Sequence, residues 1–368
     1  MNNFLLARPD SVLRTAGERA RFPDPGQAVT ALRKWRTGAG PNMVVGALPF
    51  DPAEPAALWQ PDTAVHTAGP WRPAALPPLP AVRVTGQVPS PADHLARVEK
   101  LVARLAEPGA ELGKVVAART VLAEADGPLD PEVVAAHLLA RYPNANVYAV
   151  DLTAAGRPGE TLFGATPEVL VTRHGDRVRL LPLAGTLPRH ADPRADAEQS
   201  RALLASGKNH DEHRYVTDWI RQRLTPVCAE LDIPAEPELL STEQVWHLAT
   251  PVRGVLRDPA TTALDLALLL HPTPAVNGTP FAASLAAIAA DEPRRGFYGG
   301  AVGWCADDGD GEWVVAIRGA ELAADRRTLR ASAGGGIVAA SDPATELAET
   351  TAKFRTLLGA LGCRLPED

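Results

Sequence analysis

The sequence predicts an α+β protein built mainly from antiparallel strands, and three observations predict it. Apolar residues alternate with polar ones in clustered segments, as in VLVTRHGDRVRLLPL, where His174-Gly175-Asp176 marks a hairpin turn. Helical periodicity appears singly between those clusters, so the strand-helix-strand alternation of a parallel sheet is absent. Neither GxGxxG nor GxxxxGK[ST] occurs, which removes the common nucleotide folds.

The elements follow in order. Prolines are densest over residues 70–91, which predicts an extended surface connection that buries Trp71, Leu76, Leu79 and Val82. A helix is expected over 92–106, with His94, Val98, Leu101, Val102 and Leu105 at helical spacing. A strand is expected at 114–119, a helix at 131–141 and a strand at 146–151. Short strands follow near 161–163, 169–173 and 178–182. Residues 211–224 read as an amphipathic helix with Tyr215, Val216, Trp219 and Ile220 inward, and 281–290 as another. Three strands (298–305, 312–322, 328–333) and a closing helix (345–361) complete the chain.

Bulk properties narrow the function classes. At 368 residues, 45% of them hydrophobic, length alone permits two domains. A net charge of −7 argues against nucleic-acid binding, while leaving room for a locally positive pocket that takes a small anion. Cys228, Cys305 and Cys363 are scattered and form no CxxC pair, so zinc and dithiol chemistry are not expected. The N-terminus does not read as a signal peptide and no run of 18 apolar residues occurs, so a cytoplasmic protein without membrane contact is expected.

Several residues could carry chemistry. Glu346, Glu349 and Lys353 share one face of the last helix, and Glu212 lies on an earlier helix. Each alone reads as a solvated face. Together, Glu212 and Glu349 could hold a hard divalent cation such as Mg2+, which reverses the local sign for an anionic substrate. Gly334–Gly336 are either a tight turn or a place where backbone N–H groups meet an anion. PLAGT, which holds Gly185 and Thr186, offers a similar small-residue tip. Arg318 interrupts an otherwise apolar strand and needs an anionic partner, from a ligand or from a structural Glu. His247 is a neutral core histidine or a site donor.

Ten strings in order span residues 113–353: GKVVAAR, FGATPEVLV, PLAGT, KNHDEH, WHLATPVRG, LHPTPAVNGTP, FYGGAVGW, GEWVVAIRGAEL, AGGGIVAAS and ELAETTAK. The chain resembles the chorismate-binding enzymes, a family that includes anthranilate synthase large subunits, aminodeoxychorismate synthases, salicylate synthases and isochorismate synthases. FLLARPDSVLRTAG and VVGALPFDPAEPAALW extend the likeness to siderophore-type isochorismate synthases. The resemblance implies one domain over 1–368, with 1–90 part of the same fold and the motifs in 91–362. It also implies two antiparallel sheets in a sandwich-like core with helices outside.

Carried over by motif, the family pattern implies that Lys114 is the general base that activates water and Glu168 the general acid. It implies that Glu212 and Glu349 hold Mg2+ and that Arg318, Tyr298 and Gly334 receive the enolpyruvyl carboxylate. Lys353 then lies near the ring carboxylate, and Gly185, Thr186, His247 and Ala275 line the ring. Relatives usually carry an acid three positions before the metal-binding Glu, where this chain has Asn209. Lys114 stands where ammonia-using members show Gln, and Ala184 where aminodeoxychorismate synthases carry a nucleophilic Lys. Ala275, in place of Thr, favours stopping at isochorismate over the pyruvate elimination of salicylate synthases. An isochorismate synthase, acting as a monomer on chorismate, is therefore expected. A salicylate synthase, a 2-amino-2-deoxyisochorismate synthase and a non-catalytic chorismate-binding subunit are the alternatives.

Overall fold

A computed structural model describes residues 2–35, 41–74 and 76–366. Proline, the commonest punctuation in the sequence, has a specific use here. Five helices start with a capping Asp or Ser followed by Pro: Pro25–Lys34, Pro91–Leu105, Pro131–Arg141, Pro193–Ala205 and Pro343–Ala360. In each, the cap side chain accepts a hydrogen bond from a first-turn N–H, as Asp342 does from Thr345. The proline fills the first helical position, where its missing N–H costs nothing.

The strands form two large antiparallel sheets of ten and nine strands. Toward one end of the first, Lys114–Ala125 pairs with Thr328–Ile337, and the sheet runs on through Gly319–Leu322, Thr161–Thr166, Asn146–Asp151 and Asn2–Ala7. In the second, Val169–His174 pairs with Gly311–Val315, which pairs with Ala301–Ala306, which pairs with Met43–Leu48. Phe4, Leu6 and Tyr148 of the first sheet pack with Val45, Trp59 and Val314 of the second in one buried layer. The helices Pro131–Arg141 and Pro343–Ala360 cover the outer face of the first sheet, through residues such as Leu138, Phe354 and Leu357. The α+β sandwich expected from the sequence is thus present.

The structure departs from expectation in five places. A third, three-stranded sheet (Leu183–Pro188, Val245–Ala249, Glu238–Ser241) stands apart from the two large ones. The strand expected over 312–322 is two strands in different sheets, Gly311–Val315 and Gly319–Leu322, and the chain crosses between them at Arg318 with φ 56°. Gly334–Gly336 are not a turn but continue a strand, in register with Ala118, Ala117 and Val116. The strand expected from residue 298 begins at Ala301. In the proline-rich connection, Trp71, Leu79 and Val82 pack on the core as expected, but Leu76 is 47% exposed. Among the described residues no helix is long and apolar enough to cross a membrane.

Candidate active site

The paired strands Lys114–Ala125 and Thr328–Ile337 of the larger sheet lose their in-out alternation at the same end. Lys114–Arg119 are all buried, and so are Ala333–Ile337 opposite them. Burial on both faces at that end is what places Lys114 in the interior, with no exposed surface. Its neighbour there is a carboxylate: Lys114 Nζ lies 3.1 Å from Glu212 Oε1. The glycine run makes this contact possible. A Cβ on Gly336 would strike Glu212 Oε1 and lie 2.6 Å from Lys114 Cε.

Two helices bring acids to this spot. Gly207–Leu224 supplies Glu212, and Pro343–Ala360 supplies Glu346 and Glu349, all three buried. Each carboxylate has a lysine. Lys208 Nζ lies 2.7 Å from Glu346 Oε1, and Lys353 Nζ lies 2.6 Å from Glu349 Oε1 and 2.8 Å from the Gly334 carbonyl. The Glu349–Lys353 pair expected on a solvated face is present, but inside the molecule. Burial pushes Glu212 up, yet Lys114, Lys208 and Lys353 together outweigh it and hold the carboxyl below its ordinary value. Burial, then repulsion from Glu349, pushes Glu346 up to about 7.

Among the described residues, no three His, Cys, Asp or Glu side chains converge as a ready metal cage. The donor set nevertheless suits Mg2+, which takes few carboxylates, keeps waters and shares substrate oxygens. All the candidate donors are oxygens, and two of them, Glu346 Oε2 and Asn209 Oδ1, are buried without a hydrogen-bond partner. Such orphaned acceptors are costly unless something occupies them.

Glu168 lies across the cleft at the entry to Val169–His174 and is 3% exposed. Burial drives its carboxyl up to about 7, against a backbone hydrogen bond from Leu183 and the charges of Lys114, Lys353 and Arg318. Arg318 is buried in the same cleft, and burial lowers its guanidinium to about 10 despite Glu349 nearby. No structural carboxylate forms an ion pair with it among the described residues. Instead it donates to His247 Nε2 (3.2 Å) and Thr356 Oγ1 (3.4 Å).

That contact fixes the histidine. Burial, then Arg318 and Lys353, hold His247 neutral. With Nε2 accepting from Arg318, the ring proton must sit on Nδ1, where it is donated to Thr186 Oγ1 at 2.9 Å. The Thr186 hydroxyl is then left to donate into the cleft.

Thr186, Ala275, Tyr298, Gly334 and Lys353 also line the cleft. Burial raises the Tyr298 hydroxyl to about 12, so it stays a donor. Lys114, Gly185 and Glu349 stand just behind the lining. Gly185, at φ 78°, turns toward Asn209, whose carbonyl oxygen would lie 3.0 Å from any Cβ there. The residues singled out in the sequence therefore gather in or around one cavity. Sequence reasoning missed Lys208, and it saw Glu346 on the right helix face without placing it among the carboxylates of the cleft. The signal for Glu346 was its position one helical turn before Glu349.

The sequence profile described as "Chorismate binding enzyme" matches residues 62–362. The chain belongs to the chorismate-binding enzyme family. A Mycobacterium tuberculosis (strain H37Rv) protein named MenF is 50% identical over 366 residues, covering 98% of this chain and 96% of the relative. The isochorismate synthase DhbC of Bacillus subtilis (strain 168) is 40% identical over 379 residues, covering 98% and 93%. The crystal structure of DhbC from Bacillus anthracis superposes with a TM-score of 0.88 at 35% identity, covering 98% and 96%. That likeness in fold covers nearly all of this chain.

Proposed function

We propose that this chain is an isochorismate synthase, converting chorismate to isochorismate by water addition at C2 and loss of the C4 hydroxyl. The observation that carries the reading is a single buried cleft lined by a Glu168 carboxyl that burial raises to about 7, with Lys114 just behind Glu212 in its wall. Its curated relatives, isochorismate synthases among them, support it over nearly the whole chain.

Lys114, as the neutral amine, takes a proton from water as the oxygen attacks C2, and Glu168 gives one to the hydroxyl leaving C4. No electrons are exchanged, and the two side chains return to their starting forms through solvent. Arg318, with the Tyr298 hydroxyl and the backbone at Gly334, holds the enolpyruvyl carboxylate. Lys353 faces the ring carboxylate. Thr186, oriented by His247, and Ala275 bound the ring. Glu212 and Glu349 would hold Mg2+, with the buried, unpartnered oxygens of Asn209 and Glu346 available beside them. When bound, the ion supplies positive charge beside acids that would otherwise repel a carboxylate substrate. We also take residues 1–368 as one domain, a monomer working in the cytoplasm. The pairing of Asn2–Ala7 with Asn146–Asp151 supports the single domain.

The test is to incubate the pure protein with chorismate and Mg2+, with and without ammonium, and identify the products by mass. Isochorismate alone is the expected outcome. Quantitative release of salicylate and pyruvate, an amino adduct, or no product would each overturn the reading.

A further inference from the structure

A second cavity, of about 350 Å³, opens away from the acid-lined cleft and has no part in the chemistry above. We propose that it binds a small planar aromatic carboxylate, and that its occupancy is felt at the active site. The inference goes beyond the isochorismate synthase reading and does not depend on it.

The lining supplies the chemistry of such a ligand. Its wall is apolar and aromatic, with Leu48, Leu268 and Leu269 beside Trp219 and Phe281. The two aromatic rings stack, with centroids 5.7 Å apart and planes 10° from parallel. The indole is locked in place, because Trp219 Nε1 donates to the Leu270 carbonyl at 3.1 Å. A rigid aromatic wall of this kind accepts a flat ring with little loss of freedom.

The charge supplies the second half. Arg223 lines the same cavity, with its guanidinium carbon 4.2 Å from the centre of the Trp219 ring. Among the described residues no carboxylate lies within ion-pair distance of it, and its Nε is buried without a hydrogen-bond partner. Glu54, the acidic side chain of the lining, is instead 3.7 Å from Arg294. His271 is neutral: burial lowers it to about 4, and its Nε2 donates to the Pro49 carbonyl at 2.8 Å. A cavity with apolar walls, a stacked aromatic floor and one unpaired arginine matches a ring bearing one carboxylate.

The elements around the cavity are those that build the active site. Trp219 and Arg223 extend the helix that carries Glu212. His271 opens the segment whose Ala275 and Val276 line the catalytic cleft. Phe281 follows Gly278–Thr279, which pairs with Val115 and Lys114. A ligand wedged against Trp219, His271 and Phe281 therefore bears on three supports of the catalytic residues.

Benzoate is the probe, with benzamide as its uncharged counterpart. Calorimetric titration is expected to show one saturable benzoate site per chain, unaffected by saturating chorismate. Benzamide should bind at least about tenfold more weakly, the scale of a lost charge-assisted hydrogen bond. Arg223→Gln should weaken benzoate to the same degree, and Leu268→Trp, which fills the cavity, should abolish its binding. Both variants should keep normal turnover without benzoate, whereas benzoate should change kcat in the parent protein, need about tenfold more benzoate to do so in Arg223→Gln, and have no effect in Leu268→Trp. Absence of saturable binding at millimolar benzoate, one-for-one competition with chorismate, or undiminished binding by Arg223→Gln would overturn the proposal.

Discussion

Glu168 and Lys114 carry the proton transfers, and their environments set testable limits. A carboxyl held near 7 is protonated below that pH and ionised above it, so as an acid it is competent on the low side. The kcat/KM for chorismate should therefore fall as pH rises through about 7, and Glu168→Gln should remove that limb together with most of the activity. A parent profile that stays flat across neutrality would take Glu168 out of the acid role. Glu168→Gln and Lys114→Ala should each cost at least about a hundredfold in kcat, the scale of one acid or base. The same loss should appear when isochorismate is supplied and chorismate is measured, because the reaction is reversible. At this scale, family strings in the sequence located the principal polar groups of the cleft. They did not reveal that Lys114 pairs with Glu212, or that His247 joins Arg318 to Thr186, since both contacts depend on chain segments brought together by the sheets.

Elements explain why small residues cluster where charge does. The strand Thr328–Ile337 runs past Glu212 and Lys114 with no side chain at Gly336, and nothing larger fits. Gly336→Ala should cost about 1–3 kcal/mol of stability from overpacking. It should also cut turnover sharply by displacing Glu212 from Lys114. Denaturant midpoint and kcat, measured on the same variant, check both; a stable and fully active alanine variant would mean that the acid site tolerates a shift the geometry forbids. Most long helices and hairpins were legible because their apolar periods were clean, as in Pro131–Arg141, which matches its expected span. Ala263–Leu270 was not, because ALDLALLL is apolar on nearly every face and offers no period, although the Thr262–Asp265 capping box announces its start. The break at Arg318 was hidden for a related reason: VVAI on one side and GAEL on the other read as one apolar strand, and only the pairing of each half with a different sheet separates them.

At the scale of the whole molecule, the acids that two helices bring to the cleft each face a lysine. Three carboxylates, Glu212, Glu346 and Glu349, face Lys114, Lys208 and Lys353. EDTA should therefore abolish turnover while leaving the fold intact, and added Mg2+ should restore it. The loss of stability should be no more than the mass action of a weakly held ligand, about 1 kcal/mol at a few-fold excess over Kd. Thermal melting beside an activity assay separates the cases, and full activity in EDTA would sink the metal assignment. Asn209→Asp should tighten Mg2+ in direct calorimetric titration, by adding a charge beside Glu212.

The order of strands within the nine-stranded sheet also governs how the polypeptide can be made. Met43–Leu48 finds its inner neighbour only in Ala301–Ala306, more than two hundred residues later. Asn2–Ala7 likewise waits for Asn146–Asp151. During synthesis, the early strands must leave the ribosome with apolar edges open for most of the time the chain is being extended, a state prone to wrong pairing. Only when the segment through residue 337 emerges can both sheets close, so commitment to the native state falls late and nearly all at once.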